Sequence, residues 1–429
     1  MKLVEKHIIN SSHSSYQEID KLCFLSKNLF NTVNYIVRQE FIFNQKYLNS
    51  AQIYHLIKDS VDYKAIPSKV SCQIIRLVDR CWSSFFASIK DYSKNPHKYL
   101  GKPKLPRYKD KLKGRCVTIY PAQAISKKGL KKGFLEPSGT KISIPTKIQG
   151  KVNEIRLVPR NGYYIFEAVY EVESGKPLNN NRVAAIDLGL SNLATVSSNL
   201  KEFQPFIVNG KPLKSINQFY NQKKAELQRK SQKQAVECFN SNKIQKLTTK
   251  RNFKVETYLH QASRIIINNL RENQIGTLVI GNNKQWKQEI NIGKINNQNF
   301  VQIPHHKFIE QLKYKAELEG IKVIINEESY TSKASFLDLD NIPNYSQGVK
   351  HKFSGQRIKR GLYKSKNGLL INADLNGSYN ILRKAVPNAI ADGIEGPLSN
   401  SIQDNTWKSE LSHKYLSINL QTLIVNCQL

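Results

Sequence analysis

The stretch VAAIDLGLSNLATV, residues 183–196, decides how the C-terminal half of the chain is read. An apolar run from Val183 to Ile186 ends in Asp187, and a second run follows from Leu193 to Val196. Short unbroken apolar runs predict strands buried on both faces. An acid at the end of such a strand is a turn or cap residue unless the chain brings other acids to the same place. Downstream, PFIVNG is a third strand, and charged helical stretches cover about 216–234 and 252–273. TLVIG is then a short buried strand, and HHKFIEQLKYKAELEG is an amphipathic helix stopped by Gly320 as its C′ glycine. IKVIINEES is another strand, and INADLNGSYNILRKAV is a helix that starts near Ala373.

The N-terminal half has a different texture. MKLVEKHIIN reads as an edge strand, and Leu22, Leu25, Leu29, Val33 and Ile36 then recur at helical spacing. Further helices are predicted over about Ser50 to Asp59 and after Pro67, so residues 16–95 form a helical block. Trp82, Phe85 and Phe86 are expected in its core, with base stacking as the alternative. GKPKLPRYKDKLKGRC, from Gly101, is too rich in Lys, Arg and Pro to be a regular buried element. CVTIYP, KISIP, VNEIRLVPR and YYIFEAVYEV read as strands of a small β-barrel or sheet into which the helices are inserted. KPLNNNR, 176–182, is a polar linker, and the tail after about 391 is weakly patterned.

Among the 429 residues, 66 Lys and Arg face 33 Asp and Glu, a net charge of +33. Such a surface repels itself without an anionic partner, and a long nucleic acid is the expected one. A basic ribosomal or structural protein is the plainer reading, against which the acidic motifs speak. Cysteines stand at 23, 72, 81, 116, 238 and 427 with no C-x-x-C pair, which excludes a disulfide framework and a Cys-based zinc site. The N-terminus has no apolar signal core, and no run of about 18 apolar residues occurs anywhere. The expected location is the cytoplasm, with reduced thiols.

Three meandering strands followed by helix, strand, helix, strand and a final helix is the element order of an RNase H-like fold. Such folds gather carboxylates from the first strand, from a later strand and from the last helix at one end of the sheet. Phosphodiester hydrolysis needs that gathering, because two Mg²⁺ ions about 4 Å apart require hard oxygen ligands. Asp187 gains a catalytic role if Asp374 faces it from the last helix, where Asn376 and Asn380 are placed to hold substrate or water. Taken alone, Asp374 reads first as a helix N-terminal acid favoured by the dipole.

AIDLGLSNLATVS, TLVIG, FIEQLKYKAELEGIKVIINEESYTSK and NADLNGSYNILRKA, in this order and spacing, resemble the RuvC nuclease domain of TnpB. That family comprises transposon-encoded RNA-guided DNA endonucleases related to compact type V CRISPR effectors. KLPRYKDK and YLHQASRIIINNL resemble its basic segment and its long helix. The likeness is close over about 183–386 and rests on layout alone over 1–180. It implies an α+β multidomain fold. A β-barrel wedge domain, residues 1–15 and 96–180, carries the helical recognition block of 16–95. An RNase H-like (RuvC) nuclease domain follows at 181–390, with a helical insertion at about 213–275 and a target-loading segment at about 331–371.

Two departures from the family pattern bear on chemistry. Relatives end the TLVIG strand in Glu, whereas Gly281, Asn282 and Asn283 stand here. Glu327 and Glu328 follow the next strand, and strand alternation allows one of them to face the site. Glu328 is preferred, because it holds the place of an acid in other E-x-Y-T-S-K members of the resemblance; Glu327 is the alternative, and two solvated acids are the plainer reading. Relatives also carry two C-x-x-C pairs before the last Asp, whereas no cysteine lies between Thr331 and Asp374. No zinc is expected, and Phe336, Leu337, Ile342, Tyr345, Phe353 and Tyr363 are expected to pack in its stead. The resemblance thus implies Asp187, Glu328 and Asp374 as catalytic ligands of two Mg²⁺ ions, for which Mn²⁺ can substitute. Asn282 and Asp338 are the reserve ligands, and Lys104, Arg107, Lys109, Arg357 and Arg360 are candidate phosphate contacts. It also implies a guide RNA, a double-stranded DNA target beside a short flanking motif, and a prokaryotic cytoplasm. A nuclease-dead RNA-guided DNA-binding protein is the alternative, and a DDE-type transposase a weaker one.

Overall fold

Lys2–Ile9 alternates exposed and enclosed side chains and forms β1 of the computed structural model. The structure describes residues 1–233, 241–282, 302–346, 349–359 and 361–387, and the chain divides into two units, Met1–Glu173 and Ser174–Leu429. Asn283, Arg360, Cys238, Cys427 and the tail from 391 lie outside the described residues.

In the first unit four helices follow β1: α1 (Tyr16–Asn44), α2 (Ser50–Ile57), α3 (Val61–Lys64) and α4 (Ser68–Lys94). A capping box between Asn49 and Gln52 starts α2, and the Ser60 hydroxyl caps α3. Then come β2 (Thr118–Pro121), α5 (Lys127–Lys131), β3 (Phe134–Leu135), β4 (Ile144–Pro145), β5 (Val152–Arg160) and β6 (Tyr163–Glu171). Antiparallel pairing gives the sheet order β1-β6-β5-β2, while β3 and β4 pair with each other. The expected barrel is not found. Among the described residues the sheet has two edges, and two-residue strands that pair with each other do nothing to join them. Helices α1 and α4 share one apolar core with the sheet. Trp82 is fully buried there and donates its indole N–H to Asn34 Oδ1 at 3.0 Å. Phe41 meets Trp82, Phe85 and Phe86 edge-on, so these rings pack with one another.

The second unit begins with residues 174–182, which are bound down along it. Gly175 N–H donates to Glu317 O at 3.0 Å, Leu178 N–H to Gly320 O at 3.1 Å, and Asn180 Nδ2 to Gln274 O at 2.9 Å. A polar composition predicts a linker, but two of these bonds occupy its backbone and the third an Asn side chain. The elements are β7 (Val183–Leu188), β8 (Asn192–Ser198), β9 (Phe206–Asn209), α6 (Lys211–Lys233), α7 (Asn242–Glu272), β10 (Thr277–Gly281), α8 (His305–Leu318) and β11 (Lys322–Asn326), then β12 (Gln356–Lys359), β13 (Leu362–Lys364), β14 (Leu370–Asn372) and α9 (Ala373–Ala385). The main sheet runs β11-β10-β7-β8-β9, with β11, β10 and β7 parallel and β8 antiparallel to its two neighbours. One face, carrying Ala184, Ile186 and Ile280, packs on Ile266 and Ile267 of α7 and on Phe308 and Leu312 of α8. The other, carrying Val183, Ala185 and Val279, lies under Ile381 and Leu382 of α9. Double coverage explains why these strands are apolar at every position up to their ends.

Candidate active site

Asp187 follows Val183 and Ala185 on the α9 face of β7. A Cβ on Gly377 of α9 would lie 2.6 Å from Asp187 Oδ2, so only glycine lets the helix descend over that carboxylate. At the same level of the sheet, Gly281 ends β10 opposite Asn326 of β11. A Cβ on Gly281 would lie 2.6 Å from Ile381 Cδ1 and 2.8 Å from Glu328 Oε2. The Glu328 carboxylate therefore fills the space from which a side chain at 281 would grow. No irregularity interrupts the pairing of β11 with β10, and Ile324 packs toward α9. Glu327 turns away and forms an ion pair with Lys384.

Asp374 sits in the first turn of α9, whose Asn372 cap accepts from the backbone N–H of Asp374 at 2.9 Å and of Leu375 at 3.1 Å. Its Oδ2 accepts from Asn192 Nδ2 at 2.6 Å, and its Oδ1 lies 3.5 Å from Arg357 Nη2. Burial pushes the Asp187 carboxyl well above the usual range; the charges of Glu328 and Asp374 push it further, while Arg357 opposes them. Burial likewise pushes Glu328 up to about 7, with the charge of Glu327 adding to it and Lys384 opposing. Two elements thus place acids in the field of Asp187 without enough positive charge to balance them. A donor set of hard oxygens in that condition fits Mg²⁺. Among the described residues no three His, Cys, Asp or Glu side chains already stand as a metal-holding group, and Asp374 is turned toward Asn192 and Arg357.

Asn376 and Asn380 have a different task from the one expected. Both are fully buried: Asn376 exchanges hydrogen bonds with Phe336 N and Ala334 O, and Asn380 donates to Thr331 O and Ala334 O. They pin the loop after β11 onto α9. In the cysteine-free segment Phe336 stacks on Tyr379 at 4.6 Å, and Tyr363 is buried, but Tyr345 is exposed and takes no part in a core. Asp338 accepts from Ser354 Oγ at 3.1 Å and Lys366 N at 2.9 Å, so its carboxylate is spent on the segment itself. Asn282 continues the sheet, its N–H donating to Asn326 O at 2.9 Å. Asn192, Gly377 and Lys384 had no motif to announce them; glycine one turn after the helix cap, facing a strand-end acid, was the available clue.

The basic segment of the first unit lies along α1. Asn34 and Arg38 donate to Pro106 O at 3.0 and 2.9 Å, and Asn31 exchanges two bonds of 2.9 Å with the Lys109 backbone. Lys104 and Arg107 are left exposed, and the Lys109 ammonium lies 4.8 Å from the Phe30 ring. No helix among the described residues is long and apolar enough to cross a membrane.

Residues 167–287 match the OrfB_IS605 family, described as a probable transposase, and residues 305–381 match the Cas12f1-like TNB domain. The TnpB-like protein ORF457 of Acidianus two-tailed virus is 24% identical over 444 residues, covering 93% of this chain and 90% of its own. The structure of a Cas12f1–sgRNA–target DNA complex contains a similar chain, with 15% identity, a TM-score of 0.51 and coverage of 85% of this chain and 83% of that one. Its fold is therefore shared: mixed α and β, in several domains. The two family matches stand in order along one chain, the first containing the strand-end acid Asp187 and the second containing Asp374 and most of the last helix, so the chain is similar to TnpB and Cas12f1-like proteins through its C-terminal half.

Proposed function

We propose that the chain is an RNA-guided DNA endonuclease whose second unit is an RNase H-like (RuvC) nuclease domain. The observation that carries this reading is the placing of Glu328 and Asp374, from two other elements, in the field of Asp187. The sheet order β11-β10-β7-β8-β9, with α9 over β7, supports the fold assignment. Asp187, Glu328 and Asp374 would hold Mg²⁺, which when bound supplies an activated water and stabilises the leaving oxygen. Asn192 orients the Asp374 carboxylate, and Arg357, half exposed beside it, is free to exchange that acid for a DNA phosphate. Guide RNA would read the target by base pairing, as the sgRNA and target DNA of the Cas12f1 complex suggest. Lys104, Arg107 and Lys109, on a segment fixed to α1, suit sequence-independent phosphate contacts. The flanking motif would be read by the first unit.

Incubation of the RNA-bound protein with a guide-matched plasmid in Mg²⁺ tests the reading. Asp187→Ala and Asp374→Ala are expected to abolish cleavage and leave guided binding intact, since metal ligands act on the chemical step. Cleavage by both variants at the parent rate would sink it. The absence of an acid at Gly281 and the engagement of Asp374 by Arg357 favour a second reading, guided binding without cutting. Intact guided binding by a parent that never cuts in Mg²⁺ or Mn²⁺ would establish it.

A further inference from the structure

Lys384, one residue from the end of α9, is an unusual lysine for this chain, because only 7% of its side chain is exposed. All three of its N–H donors have acceptors: the Glu327 carboxylate, Ser329 O at 3.1 Å and Pro343 O at 3.3 Å. It is anchored on the helix that carries Asp374 and reaches the turn that carries the two adjacent glutamates. That turn is fixed from within as well. Glu327 Oε1 accepts from Ser329 N–H at 3.0 Å, and Glu328 O accepts from Thr331 N–H and Oγ1 at 3.2 and 2.8 Å. Either glutamate could enter the site from this position, because the strand ends at Asn326 and its alternation no longer binds the residues beyond. Glu328 is the one that lies against Gly281.

We propose that Lys384 is a positioning residue that selects between the two glutamates: by holding Glu327 outward it delivers Glu328 to the carboxylate site. The inference rests on the nuclease reading above and adds to it the residue that sets which acid serves. A lysine suits this task better than an apolar residue, because its charge favours Glu327 on the outer side while its bonds to two backbone carbonyls fix the turn. Replacing it by methionine keeps most of the packing volume and removes the selection.

The test is Mn²⁺ binding by the purified RNA-bound protein, followed by electron paramagnetic resonance. The signal of the Asp187→Ala/Asp374→Ala variant is subtracted to remove ions held by RNA. Lys384→Met is expected to weaken the site-specific binding about 10-fold, the lower end for loss of an outer-shell partner, while Lys384→Arg keeps it. Glu328→Gln should weaken binding at least as much. The decisive variant is Glu328→Gln/Lys384→Met, which is expected to bind Mn²⁺ more tightly than Glu328→Gln alone, because a released Glu327 can enter. A lysine that merely supported the fold would make that double variant worse. Parent-like binding by Lys384→Met, or a double variant no better than Glu328→Gln, overturns the proposal while leaving the nuclease reading standing. A parent signal unchanged by Asp187→Ala/Asp374→Ala overturns both.

Discussion

At the scale of single residues, Gly281 and Glu328 are two halves of one arrangement. The carboxylate of one occupies the volume that a side chain on the other would need. Gly281→Glu alone should lose cleavage, because its Cβ would press on Ile381 and on the Glu328 oxygen and add charge to a site already short of cations. Glu328→Ala should lose cleavage through the missing ligand. Gly281→Glu/Glu328→Ala removes the oxygen that blocks the new side chain and returns an acid to the same level of the sheet, so it should cut faster than either single variant. Equal inactivity of all three in a plasmid-cleavage time course would refute the complementarity. Asp187, Asp374 and the pair Glu327 and Glu328 were legible because strand ends and a helix start are marked locally. Alternation along β11 allowed one of the two glutamates to face inward, and the choice of Glu328 came from its place in E-x-Y-T-S-K of the resemblance. Asn192 and Lys384 were not legible, since their partners lie 182 and 57 residues away and no local pattern encodes such contacts.

At the scale of elements, amphipathic periodicity located the helices and apolar runs located the strands, and the failures came where partners decide. The alternating runs left a barrel or a sheet open and the resemblance implied a barrel, but closure depends on edge strands long enough to pair across, and β3 and β4 have two residues each. The segment before α9 was expected to pack on apolar side chains; Phe336, Leu337 and Tyr363 do so, Tyr345 does not, and Asp338 and Asp340 add hydrogen bonds from Ser335, Ser354 and Lys366 that no apolar pattern announces. Between α7 and α8 the periodicity placed Lys315 correctly on α8 but said nothing of its burial. It is 4% exposed and donates to His260 O and Ser263 Oγ, both at 2.7 Å. Burial, with Arg264 adding, brings its ammonium down to about 8 from the ordinary lysine value of 10.5. The unfolded chain then binds more protons than the folded one between these values, so stability rises with pH across that window. Below about 8 both states are protonated and the cost of burying the charge is present in full. Melting temperatures taken at about pH 7.5 and 9.5 should therefore diverge less in Lys315→Met than in the parent. Identical pH slopes in the two proteins would show that Lys315 is not the titrating group.

At the scale of the whole molecule, a net charge of +33 over 429 residues sets the physical condition under which the fold persists. Like charges spread over a surface repel within a Debye length, about 10 Å at 0.1 M salt, and destabilise the compact state. The described ion pairs are few beside the 66 Lys and Arg, and several are exposed pairs of small worth, such as Lys64 with Asp59 and Lys230 with Glu226. A polyanion is the expected balancing partner, and the guide RNA of the proposed function would supply both the balance and the specificity. RNA is therefore expected to accompany the protein through purification at moderate salt, with one protected sequence class after nuclease digestion. Its removal at about 1 M salt should lower the melting temperature, because counterion release makes phosphate binding fall steeply with salt. Adding the same RNA back at about 0.1 M salt should restore the melting temperature, and an unrelated RNA of equal length should restore less of it, since phosphate contacts alone do not select a scaffold. Protein that purifies at moderate salt without nucleic acid absorbance, and melts at the same temperature before and after a high-salt wash, would remove guide RNA from the account. Equal recovery with both RNAs would instead leave a basic protein that holds nucleic acid by charge alone, and cleavage would then follow no guide.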